Sequence, residues 1–173
     1  MKPERLNKFL FDRTLELMKP NSLVLEFGCV RDSNPKAKET DGWSTLRWLE
    51  ANQRTFTVDR DEKAFEVCKE VIGEYSEVGR WTKVICDLKD IPSFAKEFPY
   101  GYVDLLYVDA ADGEVLTTAV ESTMALMSEK SLVLIDDIDG TDRGELLPPI
   151  LLRNGYKLEA QTSRQLLYRR DSQ

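Results

Sequence analysis

Val103-Asp104-Leu105-Leu106-Tyr107-Val108-Asp109 and Ser131-Leu132-Val133-Leu134-Ile135-Asp136-Asp137 decide the fold. Each is a short, nearly continuous apolar run closed by an acid. A strand reads this way when both of its faces are covered, as in a parallel sheet layered between helices. Toward the N-terminus, Trp81 to Cys86, Arg54 to Asp59 and Ser22 to Phe27 repeat the pattern. Between these runs, Pro3 to Lys19, Trp43 to Ala51, Asp61 to Ile72, Pro92 to Phe98 and Glu114 to Met127 space their apolar residues as helices do. Glu145 to Asn154 reads as a helix whose Pro148-Pro149 predict a late start or a kink. Tyr156 to Thr162 and Gln165 to Arg170 read as two strands joined at Ser163-Arg164. The alternation predicts an α/β fold: a doubly wound, mostly parallel seven-stranded sheet with an antiparallel C-terminal strand.

The 173 residues carry no repeat or linker, so residues 1–173 are expected to form a single domain. Lys plus Arg is 24 and Asp plus Glu is 31, a net charge of −7. That balance predicts no nucleic-acid partner and no membrane partner, since both need a basic face. No run is apolar for long enough to span a bilayer, and Met1 to Leu6 has no signal-peptide core. Cys29, Cys68 and Cys86 form no CxxC pair and read as reduced thiols, which predicts a cytoplasmic protein, monomer or homodimer. Histidine is absent, which removes every serine–histidine and cysteine–histidine dyad.

Five strand candidates end in acids: Glu26, Asp59, Asp87, Asp109 and the pair Asp136-Asp137. Parallel strands end on one side, and ligands of open α/β sheets bind outside those ends. Six carboxylates are therefore expected around one cleft. The plainer alternative is that such acids cap the following helices. No phosphate loop is present: GxxxxGK[ST] is missing, and Gly28 stands alone after the first strand. A cationic ligand bearing hydroxyls suits the rim better than a phosphate-rich one.

In these residues the chain resembles the class I S-adenosylmethionine-dependent methyltransferases, in their small O-methyltransferase-like branch, from Leu23 to Arg170. Glu26-Phe27-Gly28 is similar to the first motif, and Gly42-Trp43-Ser44-Thr45 to the Gly-x-Ser-Thr that opens the next helix. The resemblance implies a Rossmann-like methyltransferase fold with S-adenosylmethionine as cofactor. It places the methionine part near Gly28 and Trp43, with Ser44 and Thr45 suited to its carboxylate at a helix N-terminus. Asp59 is implied to accept the ribose hydroxyls, with Arg60 beside it. Cys86 and Asp87 are implied to flank the adenine, and Asp109 to reach the cofactor or act as catalytic base, with Asp112 as the other candidate base. In metal-dependent relatives the matching acids hold a divalent cation, which here implies Asp109, Asp136 and Asp137 as ligands for Mg²⁺ or a similar hard ion. The alternative for these three is capping, or contact with the cofactor without metal.

The resemblance implies methyl transfer to a small-molecule acceptor, at oxygen, with nitrogen as the alternative. Two departures stand out. Cys29 to Asp41 is far longer than the usual ~2–6-residue βα connection and is expected to be a lid, a substrate contact or a surface excursion. Where catechol-type relatives carry a lysine after the fourth strand, this chain has Ala110-Ala111-Asp112-Gly113. A non-catalytic methyltransferase-like binding or regulatory module is the alternative function. Asp59-Arg60-Asp61 also admits a metal-dependent phosphatase, although the accompanying threonine is absent.

Overall fold

The structure, a computed structural model, describes residues 3–37, 43–110 and 113–171, with residues 3–9 as backbone only. The strands are β1 (Leu23–Phe27), β2 (Arg54–Asp59), β3 (Trp81–Ile85), β4 (Val103–Val108), β5 (Met127–Ile135), β6 (Tyr156–Gln161) and β7 (Leu166–Arg170). The helices used below are α1 (Pro3–Leu17), α2 (Ser44–Glu50), α3 (Glu62–Ile72), α4 (Ile91–Lys96), α5 (Gly113–Thr123) and α6 (Arg143–Arg153). The strands form one sheet in the order β3-β2-β1-β4-β5-β7-β6. The first five are parallel, whereas β7 runs antiparallel between β5 and β6. This is the doubly wound sheet the sequence predicts.

Alternation along each strand divides the core. Leu105 and Tyr107 face α1 and Trp48 of α2, where Leu10, Phe11, Val24, Leu134 and Leu167 complete one layer. Val103, Leu106 and Val108 face the other way, against Leu116, Ala119 and Val120 of α5 and Leu147, Ile150 and Leu151 of α6. Phe11, Trp48 and Tyr107 form a ring cluster, with centroids 4.9 to 5.6 Å apart. With both faces covered, β4 is apolar over nearly its whole length.

Two boundaries differ from the sequence expectation. The helix predicted to run to Met127 ends at Thr123, and β5 begins at Met127. Met127 pairs with Val103, and the register then shifts between Val103 and Leu105, so polar Glu129 and Lys130 ride an exposed irregular stretch of strand. In α6, Pro148 and Pro149 lie inside the helix rather than delaying it. Pro149 is exposed while Leu147, Ile150 and Leu151 are buried, so packing of the apolar face holds the helix across the missing N–H groups.

The chain order reverses between β1 and β4, and there Gly28 follows β1. Its amide donates to the carbonyl of Val58 at 3.0 Å, and its φ is 104°. A Cβ at this position would lie 2.4 Å from the backbone carbonyl oxygen of Asp109. Backbone cannot yield cheaply, so only glycine lets the ends of β1 and β4 approach this closely. Gly28→Ala is expected to lower stability by roughly 1–3 kcal/mol, read as a drop in melting temperature.

Candidate functional site

Two cavities open outside the carboxyl ends of the parallel strands. The first, of about 420 Å³, is lined by residues that include Gly28, Cys29, Trp43, Ser44, Asp109 and Arg143. The second, of about 440 Å³, is lined by residues that include Asp59, Arg60, Cys86, Asp87 and Val115. Arg31 and Ala110 line both. The switch-point rule is therefore met in space: the turns after β1, β2, β3, β4 and β5 contribute to one rim.

Not every strand-end acid reaches that rim. Glu26 lies within β1 and is completely buried. Its carboxylate accepts hydrogen bonds from the hydroxyls of Ser44, Thr45 (2.6 Å) and Thr57 (2.9 Å). Burial pushes its pKa up, and the three hydroxyls oppose that shift. Glu26 and Thr45, implied above as cofactor contacts, thus bind each other behind the cavity wall. The reason is register: β1 continues through Phe27, and strand alternation turns Glu26 toward α2. α2 has no side-chain cap at its start, where Trp43, whose indole offers no acceptor, takes a left-handed backbone with φ 42°. The Trp43 indole N–H is held by the carbonyl of Asp32 at 2.9 Å, which ties the described part of the 29–41 loop to the start of α2.

The remaining acids face arginines. Arg31 donates to Asp59 at 2.8 Å, and the Asp61 amide takes the other Asp59 oxygen at 2.9 Å. Asp61 itself caps α3 through the Lys63 amide. Arg60 lies 3.9 Å from Asp87, which also caps the turn Leu88–Asp90. Arg143 donates to Asp109 at 3.3 Å and to the carbonyl of Asp136 at 3.0 Å. Arg164 donates to Asp137 at 2.5 Å and lies 3.5 Å from Asp136. The Tyr107 hydroxyl, fully buried, donates to Asp136 at 2.7 Å. Burial, followed by the charges of Asp136 and Asp137, pushes Asp109 up to about 7 despite Arg143.

This arrangement does not fit the metal centre implied for Asp109, Asp136 and Asp137. Arg143 holds one Asp109 oxygen, Tyr107 one Asp136 oxygen and Arg164 one Asp137 oxygen, and no group of three ligating side chains is gathered among the described residues. Gly42 and Asp112 lie outside the described residues. Gly28, Trp43, Ser44 and Asp109 meet at the first cavity, and Asp59, Arg60, Cys86 and Asp87 at the second. Sequence reasoning missed Arg31, Arg143 and Arg164. Only Arg31 had a signal, as part of the overlong loop; the other two stand at a helix start and in a tight turn.

No protein-family model and no curated protein matches this sequence. The structure is similar to an rRNA methylase from Streptococcus thermophilus, at 9% identity and a TM-score of 0.69, covering 99% of each chain. It is similar to a SAM-dependent O-methyltransferase from Thermotoga maritima, at 11% identity and a TM-score of 0.66, covering all of this chain and 67% of that one. The chain has the class I methyltransferase fold. TrmN from Thermus thermophilus shares that fold at 19% identity and a TM-score of 0.59, and the chain spans 48% of its length. Among the described residues, no helix of this methyltransferase fold is long and apolar enough to cross a membrane.

Replacing Glu26 by Ala would strand three hydroxyl donors around an empty volume. Loss of about 2–4 kcal/mol is expected in chemical denaturation, with Glu26→Gln milder because it keeps the shape and an acceptor oxygen.

Proposed function

We propose that this chain is an S-adenosylmethionine-dependent methyltransferase whose acceptor is a hydroxyl oxygen of a small molecule. The observation that carries this is the pair of cavities at the strand ends, one bounded by Gly28, Trp43 and Ser44 and the other by Asp59 and Cys86. Both share Arg31 and Ala110, so one elongated ligand with an amino-acid end and a nucleoside end suits them. Gly28, Trp43 and Ser44 would hold the amino-acid end. Asp59 would accept the ribose hydroxyls, with Arg60, Cys86 and Asp87 around the base. Glu26 and Thr45 serve behind the wall by fixing the start of α2.

When bound, S-adenosylmethionine supplies an electrophilic methyl group on sulfur. This chain holds the acceptor in line, removes its hydroxyl proton and excludes competing water. Asp109 is the base. It lines the first cavity, is half-buried, and its pKa of about 7 matches proton abstraction near neutrality. Arg143, in contact with it, steadies its orientation. No metal takes part in this scheme, because Arg143 and Arg164 occupy the acids that would ligate it.

A second acceptor, RNA, is favoured by one observation: the rRNA methylase from Streptococcus thermophilus matches this chain end to end. The net charge of −7 weighs toward a small molecule, since phosphate contacts dominate RNA affinity. Methyl transfer from labelled cofactor to a panel of hydroxylated small molecules and to rRNA separates the two. Transfer to neither, with cofactor bound, identifies a non-catalytic binding module.

Calorimetry is expected to show S-adenosylmethionine binding that weakens by roughly 1.5–3 kcal/mol in Asp59→Ala, the worth of charge-assisted hydrogen bonds. Equal affinity in the variant removes Asp59 from the site. The pH dependence has a definite sign. The base works only when ionised, and its raised pKa leaves it protonated below about 7. Thus kcat/KM should rise with pH through about 7 and then level. Asp109→Asn should abolish that limb along with most of the rate, and an unchanged profile would assign the base elsewhere.

A further inference from the structure

We propose that Cys29 and Cys68 form a redox-modification site: a peroxide joins them in an intramolecular disulfide that fixes the wall of the first cavity. Cys29 directly follows Gly28 and lines that cavity, partly exposed. Its thiol donates to the carbonyl of Ala64, at 3.4 Å, on the first turn of α3. Cys68 stands one turn further along the same helix face. It is fully buried in a small cluster with Val30, Leu46, Leu49 and Ile72, and Cys29 packs against that cluster. Cys86 belongs to the second cavity, with its thiol on the carbonyl of Asp87.

Access assigns the order of events. Peroxide reaches Cys29 through the cavity and oxidises its sulfur to a sulfenic acid, releasing one water. The shielded Cys68 sulfur then attacks the Cys29 sulfur. The S–S bond forms as the S–OH bond breaks, and the hydroxyl leaves as a second water with the Cys68 proton. The two electrons lost by the thiols reduce the peroxide O–O bond. The neighbouring Cys68, burial, and the carboxylates of Glu26 and Asp59 all favour the protonated Cys29 thiol. Pairing is therefore slow at neutral pH and faster in alkali, where the thiolate forms. Arg31 lies two residues beyond Cys29 and holds Asp59, so a bridge to α3 constrains the segment that lines both cavities.

The test treats the whole protein with hydrogen peroxide, then counts thiols after denaturation and maps cross-linked peptides. Free thiols are expected to fall from three to one, with a Cys29–Cys68 peptide pair, and to return on reduction. Cys86→Ser should still form the pair and retain no free thiol. Cys68→Ala should leave Cys29 as a sulfenic acid that dimedone captures. A cross-link through Cys86, a cross-link between chains, or Cys29 oxidised to sulfinic acid beside an intact Cys68 would overturn the proposal. The mapping on unaltered protein decides the matter even if a variant fails to fold, and it is independent of whether cofactor binds.

Discussion

A carboxylate with no exposure to water holds the site in place. Glu26 has hydroxyl partners from α2 and β2, and those three bonds join β1, the neighbouring β2 and α2. Burying a carboxylate is costly unless its lone pairs are filled, so once the chain commits Glu26 to the interior, Ser44, Thr45 and Thr57 must converge on it. The helix they open spans only Ser44–Glu50 and has no side-chain cap of its own. Its position therefore depends on Glu26 more than on helix propensity. Trp43 and Ser44 stand at the cavity because that helix start is pinned.

The rim itself follows a different electrostatic logic. Acids gathered at strand ends repel one another, and arginines from distant segments offset this. Arg31 meets Asp59, Arg143 meets Asp109, and Arg164 meets Asp136 and Asp137. The result is a nearly balanced site in place of an anionic bowl. Among the described residues Asp109 has one long contact to a cation, Arg143 at 3.3 Å, while burial and two like charges favour its protonated form. Tyr107 carries the same network into the core, since its ring packs on Phe11 and Trp48 while its hydroxyl reaches Asp136. A change in the packing of α1 or α2 therefore has a physical route to the Asp136 carboxylate.

Much of this was legible in the sequence, for reasons that differ by residue. Strands β1 and β4 and the Ser131–Ile135 part of β5 were legible because two-sided burial writes an apolar run at each one. The convergence of Asp59, Asp87 and Asp109 was legible because parallel strands end together. Glu26 misled because a strand-end acid and an acid one residue inside a strand look alike in sequence yet face opposite ways. The arginines were illegible because their partners lie 27 to 34 residues away, and no local pattern encodes such an ion pair. The metal expectation finds no support at that same point, because Arg143 and Arg164 face the three acids that would form the ligand set.

In the proposed function a ribose would bind Asp59, whose carboxylate is already paired with Arg31. One Asp59 oxygen accepts the Asp61 amide and the other accepts Arg31. Each carboxylate oxygen has two lone pairs, so the Asp61 bond leaves room for a hydroxyl, whereas Arg31 stands in the approach. The Arg31 side chain is 61% exposed. An ion pair with so solvated a partner is worth about 0–1 kcal/mol, because water welcomes the released guanidinium. Hydroxyls bonding to a buried carboxylate are worth roughly 1.5–3 kcal/mol. Exchange is thus downhill for a ligand with two neighbouring hydroxyls and uphill for one with none. On the proposed assignment, Arg31 would shield the Asp59 charge between ligands, and the buried carboxylate would favour a diol.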